Sequence, residues 1–336
     1  MMRRPVAGWL GLMASVLLAG LLAAPALSAP ADWADWLAGF RAKAKAEGIG
    51  ETTLHAALDG LEPIQSILER DRKQPEFTLT FPQYIDRVVT DAKVQQGRAM
   101  ARDHADLLAR ISRKYGVQSR FILAIWGIES FYGRHTGKEA VVAALATLSY
   151  DRRRSSFFQS QLLAALRMAD KGYIDLATMK GSWAGAMGQP QFIPTSYLAY
   201  AVDEDGDGRR DIWNSLPDIF GSIANYLARH GWTADQTWGR PVQVPASLRG
   251  RWATLSEDAN KSKPMPLPRW GELGVRMPAG GALPTRPLPT VLVAPDGKDG
   301  PMFATYPNYR RILNYNPSHL YALAVGVLSD RIESVQ

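Results

Sequence analysis

The chain has 336 residues, 46% of them apolar, with 39 basic and 32 acidic side chains for a formal charge of +7. That is long and apolar enough for one large globular domain or two ordinary ones, and it excludes a disordered chain. No cysteine is present, which excludes disulfides, thiolate metal sites and a lipid-modified cysteine. Basic residues are interspersed with acidic ones, as in Arg41-Ala-Lys-Ala-Lys-Ala-Glu47 and Glu69-Arg-Asp-Arg-Lys73. They read as solvated helix faces and not as a nucleic-acid patch, while an anionic polymer outside the cytoplasm suits the mild positive balance.

In chain order, Arg3 and Arg4 precede an apolar run from Val6 to Ala24 and the small-residue stretch Ala24-Pro-Ala-Leu-Ser-Ala29. This is the layout of a secretory signal peptide over 1–29, and it predicts an exported, soluble, periplasmic protein. The alternative is a membrane anchor, since the apolar run is nearly long enough to span a bilayer, but the small residues favour cleavage. Trp33, Trp36, Leu37 and Phe40 recur at helical spacing behind Asp32 and predict an amphipathic helix over Asp32–Glu47 ended by Gly48. A shorter helix is expected over Thr52–Leu58, and Gln74-Pro-Glu-Phe-Thr-Leu-Thr-Phe-Pro82 reads as an extended crossing. Beyond Pro82 the helical period resumes with Tyr84, Ile85, Val88 and Val89, pauses at Gly97 and continues through Leu107, Leu108 and Ile111 to Gly116.

The next stretch, Phe121-Ile-Leu-Ala-Ile-Trp-Gly-Ile-Glu-Ser-Phe-Tyr-Gly133, places a single carboxylate near the end of an almost unbroken apolar run. Ser119 is expected to cap this helix and Gly133 to end it in the left-handed conformation. Ile125 at i−4, Trp126 at i−3 and Tyr132 at i+3 then surround Glu129. Apolar walls and the negative end of the helix dipole both favour the protonated carboxyl, which suits a general acid. The alternative is a structural carboxylate satisfied by a cap or a nearby cation. Helical pattern returns from Val141, breaks at Ser149-Tyr-Asp-Arg-Arg-Arg154, and resumes through Phe157, Gln161, Leu162 and Leu166 to Gly172. In Lys180-Gly-Ser-Trp-Ala-Gly-Ala-Met-Gly-Gln-Pro-Gln-Phe-Ile-Pro194, glycines and prolines forbid regular structure while Trp, Met, Phe and Ile demand burial. A packed loop of this kind lines something.

Asp203-Glu-Asp-Gly-Asp-Gly-Arg-Arg-Asp211 carries carboxylates at loop positions 1, 3, 5 and 9 (Asp203, Asp205, Asp207, Asp211) and Gly208 at position 6. Arg209 falls at position 7, where an EF-hand calcium loop uses a backbone carbonyl. Asn214 stands at position 12 in place of the usual bidentate Glu, which weakens the match, and an acidic turn is the alternative. Helices are expected on both flanks, over Thr195–Val202 and Pro217–Arg229. From Trp238 to Pro307 the helical period vanishes and prolines cluster; strands are expected at Pro241–Val244, Val291–Ala294 and Met302–Tyr306, the last two joined through Asp296-Gly297. Helix returns at Leu320–Leu328, introduced by Tyr315-Asn-Pro-Ser318. No phosphate loop, dinucleotide fingerprint, HExxH or GxSxG motif is present, and the five histidines have no ligand spacing, which leaves a carboxylate enzyme or a non-enzyme.

Taken together, Asp71-Arg-Lys-Gln-Pro-Glu-Phe77, Ile-Trp-Gly-Ile-Glu129-Ser-Phe-Tyr-Gly, Ala144-Leu-Ala-Thr-Leu-Ser149 with its arginines, Gly185–Pro194, the acidic loop and Tyr315–Ser318 resemble the B-type lytic murein transglycosylases. These are relatives of goose-type lysozyme in their catalytic core, and the resemblance covers nearly the whole mature chain. It implies a mainly α (α+β) fold: a lysozyme-like helical core around 98–236 within a helical domain of 30–236 and 307–336, with 237–306 as a partly β insertion. It implies Glu129 as the sole catalytic acid/base, Ser182 and Gln191 near the reacting sugar, and Arg153 and Arg154 toward glycan or peptide. Arg152 leaves the pairing of those arginines uncertain by one position. Tyr315, Asn316 and Tyr321 are implied to line the cleft, and Asp203, Asp205, Asp207, Arg209 and Asp211 to form a structural calcium loop.

The activity expected from the resemblance is non-hydrolytic cleavage of the β-1,4 bond between N-acetylmuramic acid and N-acetylglucosamine, leaving 1,6-anhydro ends. No catalytic cofactor is needed. The expected partners are peptidoglycan strands and other murein enzymes, not nucleic acid, and the expected state is a monomer. A hydrolytic muramidase or a non-catalytic peptidoglycan scaffold are the alternatives.

Overall fold

The computed structural model describes residues 33–72, 79–151, 155–258 and 260–333. The expected leader and the arginine run 152–154 lie outside them. The helices in order are α1 (Trp33–Ala46), α2 (Glu51–Leu58), α3 (Gln65–Arg72), α4 (Phe81–Val88), α5 (Asp91–Asp103), α6 (Ala105–Tyr115), α7 (Ser119–Ser130), α8 (Val141–Tyr150), α9 (Ser155–Asp170), α10 (Pro194–Tyr200) and α11 (Leu216–Arg229). After them come the short α12 (Ala246–Arg249), α13 (Trp252–Leu255) and α14 (Leu267–Glu272), then α15 (Pro307–Tyr315) and α16 (His319–Glu333). Strands β1 (Glu139–Ala140) and β2 (Lys180–Gly181) pair with each other. The remaining strands are β3 (Gly239–Val242), β4 (Ser256–Asp258), β5 (Lys261–Ser262), β6 (Met265–Pro266), β7 (Pro289–Val293) and β8 (Met302–Thr305). The fold is mainly α, and among the described residues no helix is long and apolar enough to cross a membrane.

The chain forms two compact units, and each is assembled from separated stretches. One takes the described residues up to 72 and Glu129–Asn225; the other takes the described residues from 79 to Ile128 and from Tyr226 onward. The division falls inside α7 and α11.

In the first unit the aromatic stripe of α1 is core, as its spacing requires: Trp36 stacks on Phe40 at 5.6 Å, and Tyr150 meets Trp33 edge-on at 5.3 Å. Gly50 precedes α2 without a side chain to cap it. Asp170, from the end of α9, fastens the start of the helix instead, accepting the Gly50 N–H at 2.9 Å and the Thr53 hydroxyl at 2.8 Å. The nearly all-apolar α8 is buried between α3 and α9.

In the second unit α7 contributes the unbroken apolar run Phe121–Ile128, of which Phe121 through Ile125 are all fully buried. Thr80 and Gln83 form a capping box at the start of α4, and Asp296 accepts the Phe81 N–H at 2.9 Å. Trp238 is fully buried, and its indole N–H donates to Asp330 at 3.0 Å. Burial raises the Asp330 carboxyl above its ordinary pKa even though Trp238 and Arg120 favour the anion. Strands β3 to β8 form an antiparallel sheet in the order β3-β8-β7-β5-β4, with β6 on β7. Trp252, Leu267, Trp270, Leu292 and Met302 fill a core of its own beside it. The stretch expected to be irregular and partly β has strands within a few residues of the three expected places, and it adds three further short strands and three short helices.

Candidate active site

Glu129 is half-buried on the last turn of α7, with Ser130 beside it 1% exposed. Ser119 proves to be the first residue of the helix, and the helix ends earlier than Gly133. Phe131 (φ 50°), Tyr132 (φ 56°) and Gly133 (φ 84°) then follow one another in the left-handed region. For Phe and Tyr that costs on the order of 1–2 kcal/mol each, so the surroundings must impose it. Part of the constraint is local: the Ser130 hydroxyl accepts the Gly133 N–H at 3.0 Å and the Ser130 carbonyl accepts the His135 N–H at 2.9 Å. Burial pushes the Tyr132 phenol well above its usual range, so it stays neutral.

The loop between β2 and α10 adds to this constraint, with Gln189 close against Gly133 and further contacts on the residues just beyond the turn. Gln191 is itself left-handed (φ 53°), and its amide nitrogen donates to Thr136 O at 3.1 Å and to Gly188 O at 2.8 Å. Its carbonyl oxygen is what it can offer a ligand. Gly137 lies so close to the Gly181 peptide that any Cβ would overlap it. The Ser182 hydroxyl accepts the N–H groups of Ala184 at 3.3 Å and Ala186 at 3.1 Å, which leaves its proton to donate. Glu129, Ser182 and Gln191 thus belong to one unit. Tyr315, Asn316 and Tyr321 belong to the other: Tyr315 ends α15 at 4.7 Å from the Tyr226 ring, Asn316 is 1% exposed, and Tyr321 is fully buried in α16. Arg153 and Arg154 are outside the described residues.

In the acidic loop the carboxylate oxygens of Asp203, Asp205 and Asp218 converge to within 4.8 Å of one another. Asp203 accepts the N–H groups of Gly206 at 2.7 Å and Gly208 at 2.8 Å, so the loop backbone is wrapped around it. Asp218, in the first turn of α11, is fully buried and accepts Glu204 N and Asp211 N, each at 2.7 Å. Burial still raises its carboxyl above the ordinary value. Asp207 and Asp211 are turned to local duties: Asp207 accepts Arg209 N at 2.8 Å, and Asp211 accepts Trp213 N and Asn214 N, each at 2.9 Å. Asp218, not Asn214, is the residue that closes the acidic group. An Asp in a helix first turn reads as an ordinary dipole partner, and it lies outside the twelve-residue register, so the spacing leaves it unmarked. Three hard oxygen donors, one of them desolvated, fit a calcium ion.

Residues 32–330 match the Transglycosylase SLT domain family. Membrane-bound lytic murein transglycosylase B of Escherichia coli (strain K12) is 33% identical over 255 residues, which is 74% of this chain and 66% of that protein. The crystal structure of SltB3 from Pseudomonas aeruginosa in complex with NAG-anhNAM-pentapeptide is similar at a TM-score of 0.84 and 42% identity, covering 91% of this chain and 80% of that one. The structure of the Escherichia coli lytic transglycosylase Slt35 in complex with calcium is similar at a TM-score of 0.73 and 29% identity, covering 88% of this chain and 92% of that one.

Proposed function

The chain belongs to the lytic murein transglycosylases of the Transglycosylase SLT domain family, and from that premise we propose that it cleaves the β-1,4 bond between N-acetylmuramic acid and N-acetylglucosamine and leaves 1,6-anhydro-N-acetylmuramic acid ends. The observation that carries this reading is Glu129, half-buried where an apolar helix runs into a strained and doubly gripped turn. Strain of this kind persists where geometry matters to chemistry.

Most glycosidases use two carboxylates, one as acid and one as nucleophile or base. Here Glu129 takes both proton transfers. As the acid it protonates the glycosidic oxygen while the muramyl acetamido oxygen attacks C1 of its own sugar, as in substrate-assisted exceptions. The carboxylate that results takes the proton from the C6 hydroxyl as its oxygen attacks C1, which breaks the C1 bond to the acetamido oxygen, closes the 1,6-anhydro ring, restores the N-acetyl group and regenerates the acid. Both attacks are internal, and well-oriented internal attack carries effective molarities of ~10⁵ M or more. Ser182, with its proton to give, orients the acetamido group. Gln191 offers its carbonyl oxygen to the same sugar. Tyr315, Asn316 and Tyr321 carry over from the resemblance as residues lining the cleft, and Arg153 and Arg154 as partners for lactyl-peptide carboxylates.

Calcium, held by Asp203, Asp205 and Asp218, is proposed as a structural ion: it supplies positive charge that offsets three converging carboxylates and takes no part in the chemistry. Export to the periplasm, removal of 1–29 and action as a monomer complete the reading. The products test the activity. Sacculi are digested and the muropeptides weighed without prior reduction. Anhydro ends lack one water's mass and resist borohydride; a digest dominated by reducible muramic ends makes the protein a muramidase instead.

A further inference from the structure

Gln189 sits in the loop that grips the turn after Glu129, yet neither its composition nor its spacing marks it as functional. Its backbone N–H donates to Ile212 O at 2.9 Å and its side-chain Nε2 donates to Trp213 O at 2.7 Å. Both ends of the residue are therefore fastened to one short stretch of backbone. That stretch is itself fixed, because Asp211 accepts the Trp213 and Asn214 N–H groups. The same amide lies beside Gly133, so close that a Cβ on Gly133 would overlap Gln189 Oε1 and Cδ. Gly133 is the third of the three left-handed residues that end the Glu129 helix.

We propose that Gln189 is a positioning residue for Glu129: anchored on Trp213, its amide braces the Phe131–Gly133 turn and so fixes where the carboxyl points. The inference rests on Glu129 being the acid/base of the reaction. Neighbouring brackets act on other parts of the same segment: Gln191 ties Thr136, and the Gly137 contact ties the start of β1. Gln189 alone among these reaches the left-handed residues that follow the carboxyl directly. A displaced Glu129 still permits substrate to bind, and a misplacement near 1 Å can cost ~10²-fold in rate. The loss therefore falls on kcat and not on KM.

The test compares Gln189→Glu, Gln189→Met and Gly133→Ala with Glu129→Gln, using purified sacculi as substrate and circular dichroism and thermal unfolding as controls. Gln189→Glu keeps the bulk against Gly133 but cannot donate to Trp213 O when ionised; Gln189→Met removes the bond without charge. Both are expected to lower kcat roughly ten- to one-hundred-fold with KM within about two-fold. Gly133→Ala disturbs the other end of the same brace, so it should lower kcat on its own and add little in combination with Gln189→Met. Should the Gln189 variants not fold, Gly133→Ala decides by the same split between kcat and KM. A folded Gln189 variant with unchanged kcat overturns the proposal. So does a loss confined to KM, which makes Gln189 a substrate contact, and so does a double variant whose losses multiply in full. If Glu129→Gln keeps turnover, the functional reading itself fails; if Glu129→Gln is dead and the Gln189 variants are normal, only the positioning role fails.

Discussion

At Glu129, exchanging one oxygen for nitrogen separates proton transfer from shape. Glu129→Gln is expected to fold as the parent does and to lose turnover by ~10²–10⁴-fold, the usual worth of a general acid–base group, measured as release of soluble muropeptides. Clearing of sacculi at the parental rate would falsify the assignment. His319 poses a different single-residue question. Its Nδ1 lies 2.9 Å from the Tyr309 hydroxyl and its ring stacks on Tyr309 at 5.9 Å. Burial lowers its pKa, with Asp258 opposing and Lys261 assisting. The unfolded chain therefore accepts a proton below about pH 6.5 that the folded protein resists. Stability from this group is complete above that pH and is lost as the pH falls through the folded-state pKa. His319→Gln should flatten the fall in Tm below about pH 6.5, and an unaltered slope assigns the effect to another group. Single residues were unevenly legible. Glu129 stood out because a lone carboxylate in an apolar run has few reasons to be there, and Gly133 because a left-handed helix end favours glycine. Phe131 and Tyr132 carry no mark of their left-handed backbone, since tertiary grip imposes it.

Among the elements, the acidic loop makes the sharpest demand. Its three converging carboxylates repel one another, so a cation that binds only the folded state should raise the unfolding midpoint by mass action, about 2.7 kcal/mol at a hundred times Kd. Chelator is expected to lower Tm in the parent. Asp218→Asn should abolish that response, and Asp207→Asn should reduce it less; the reverse order returns the loop to the twelve-residue register. Elsewhere the helices with a clear apolar period were readable nearly to the residue, as with α2, expected from Thr52 and observed from Glu51. The errors gather at proline. Pro82 was read as the end of an extended segment and Pro307 as the edge of an irregular one, yet both lie in the first turn of helices, α4 and α15. Proline lacks the N–H that a first turn leaves unbonded in any case, so it begins a helix as readily as it breaks one. The break at Val89-Thr90 was also hidden, because apolar spacing continues across it while Thr90 caps the next helix through Lys93 N.

Across the whole molecule, the sheet and its short helices between 237 and 306 hold a core of their own, and Trp270 is its fully buried centre, donating to Thr290 O at 3.3 Å. Trp270→Ala is expected to cost about 3–5 kcal/mol through the cavity it leaves, seen as a lower midpoint in denaturant at an unchanged slope. A loss under about 1 kcal/mol would mean that this core collapses around the gap. Composition announced a globular protein with ample core, but nothing in it announced that the two compact units interleave. That interleaving has a consequence for biogenesis. A chain emerges from its N-terminus, so 79–128, with the apolar run Phe121–Ile128 of α7 inside it, is made well before the 226–333 stretch that completes the same unit. The first unit has all its residues once Asn225 is made, but the second cannot close until 226–333 arrives, and the apolar surface of 79–128 waits until it does. The order of synthesis and the order of assembly thus differ: the unit begun second along the chain is interrupted by the rest of the first, and it is the last to be completed.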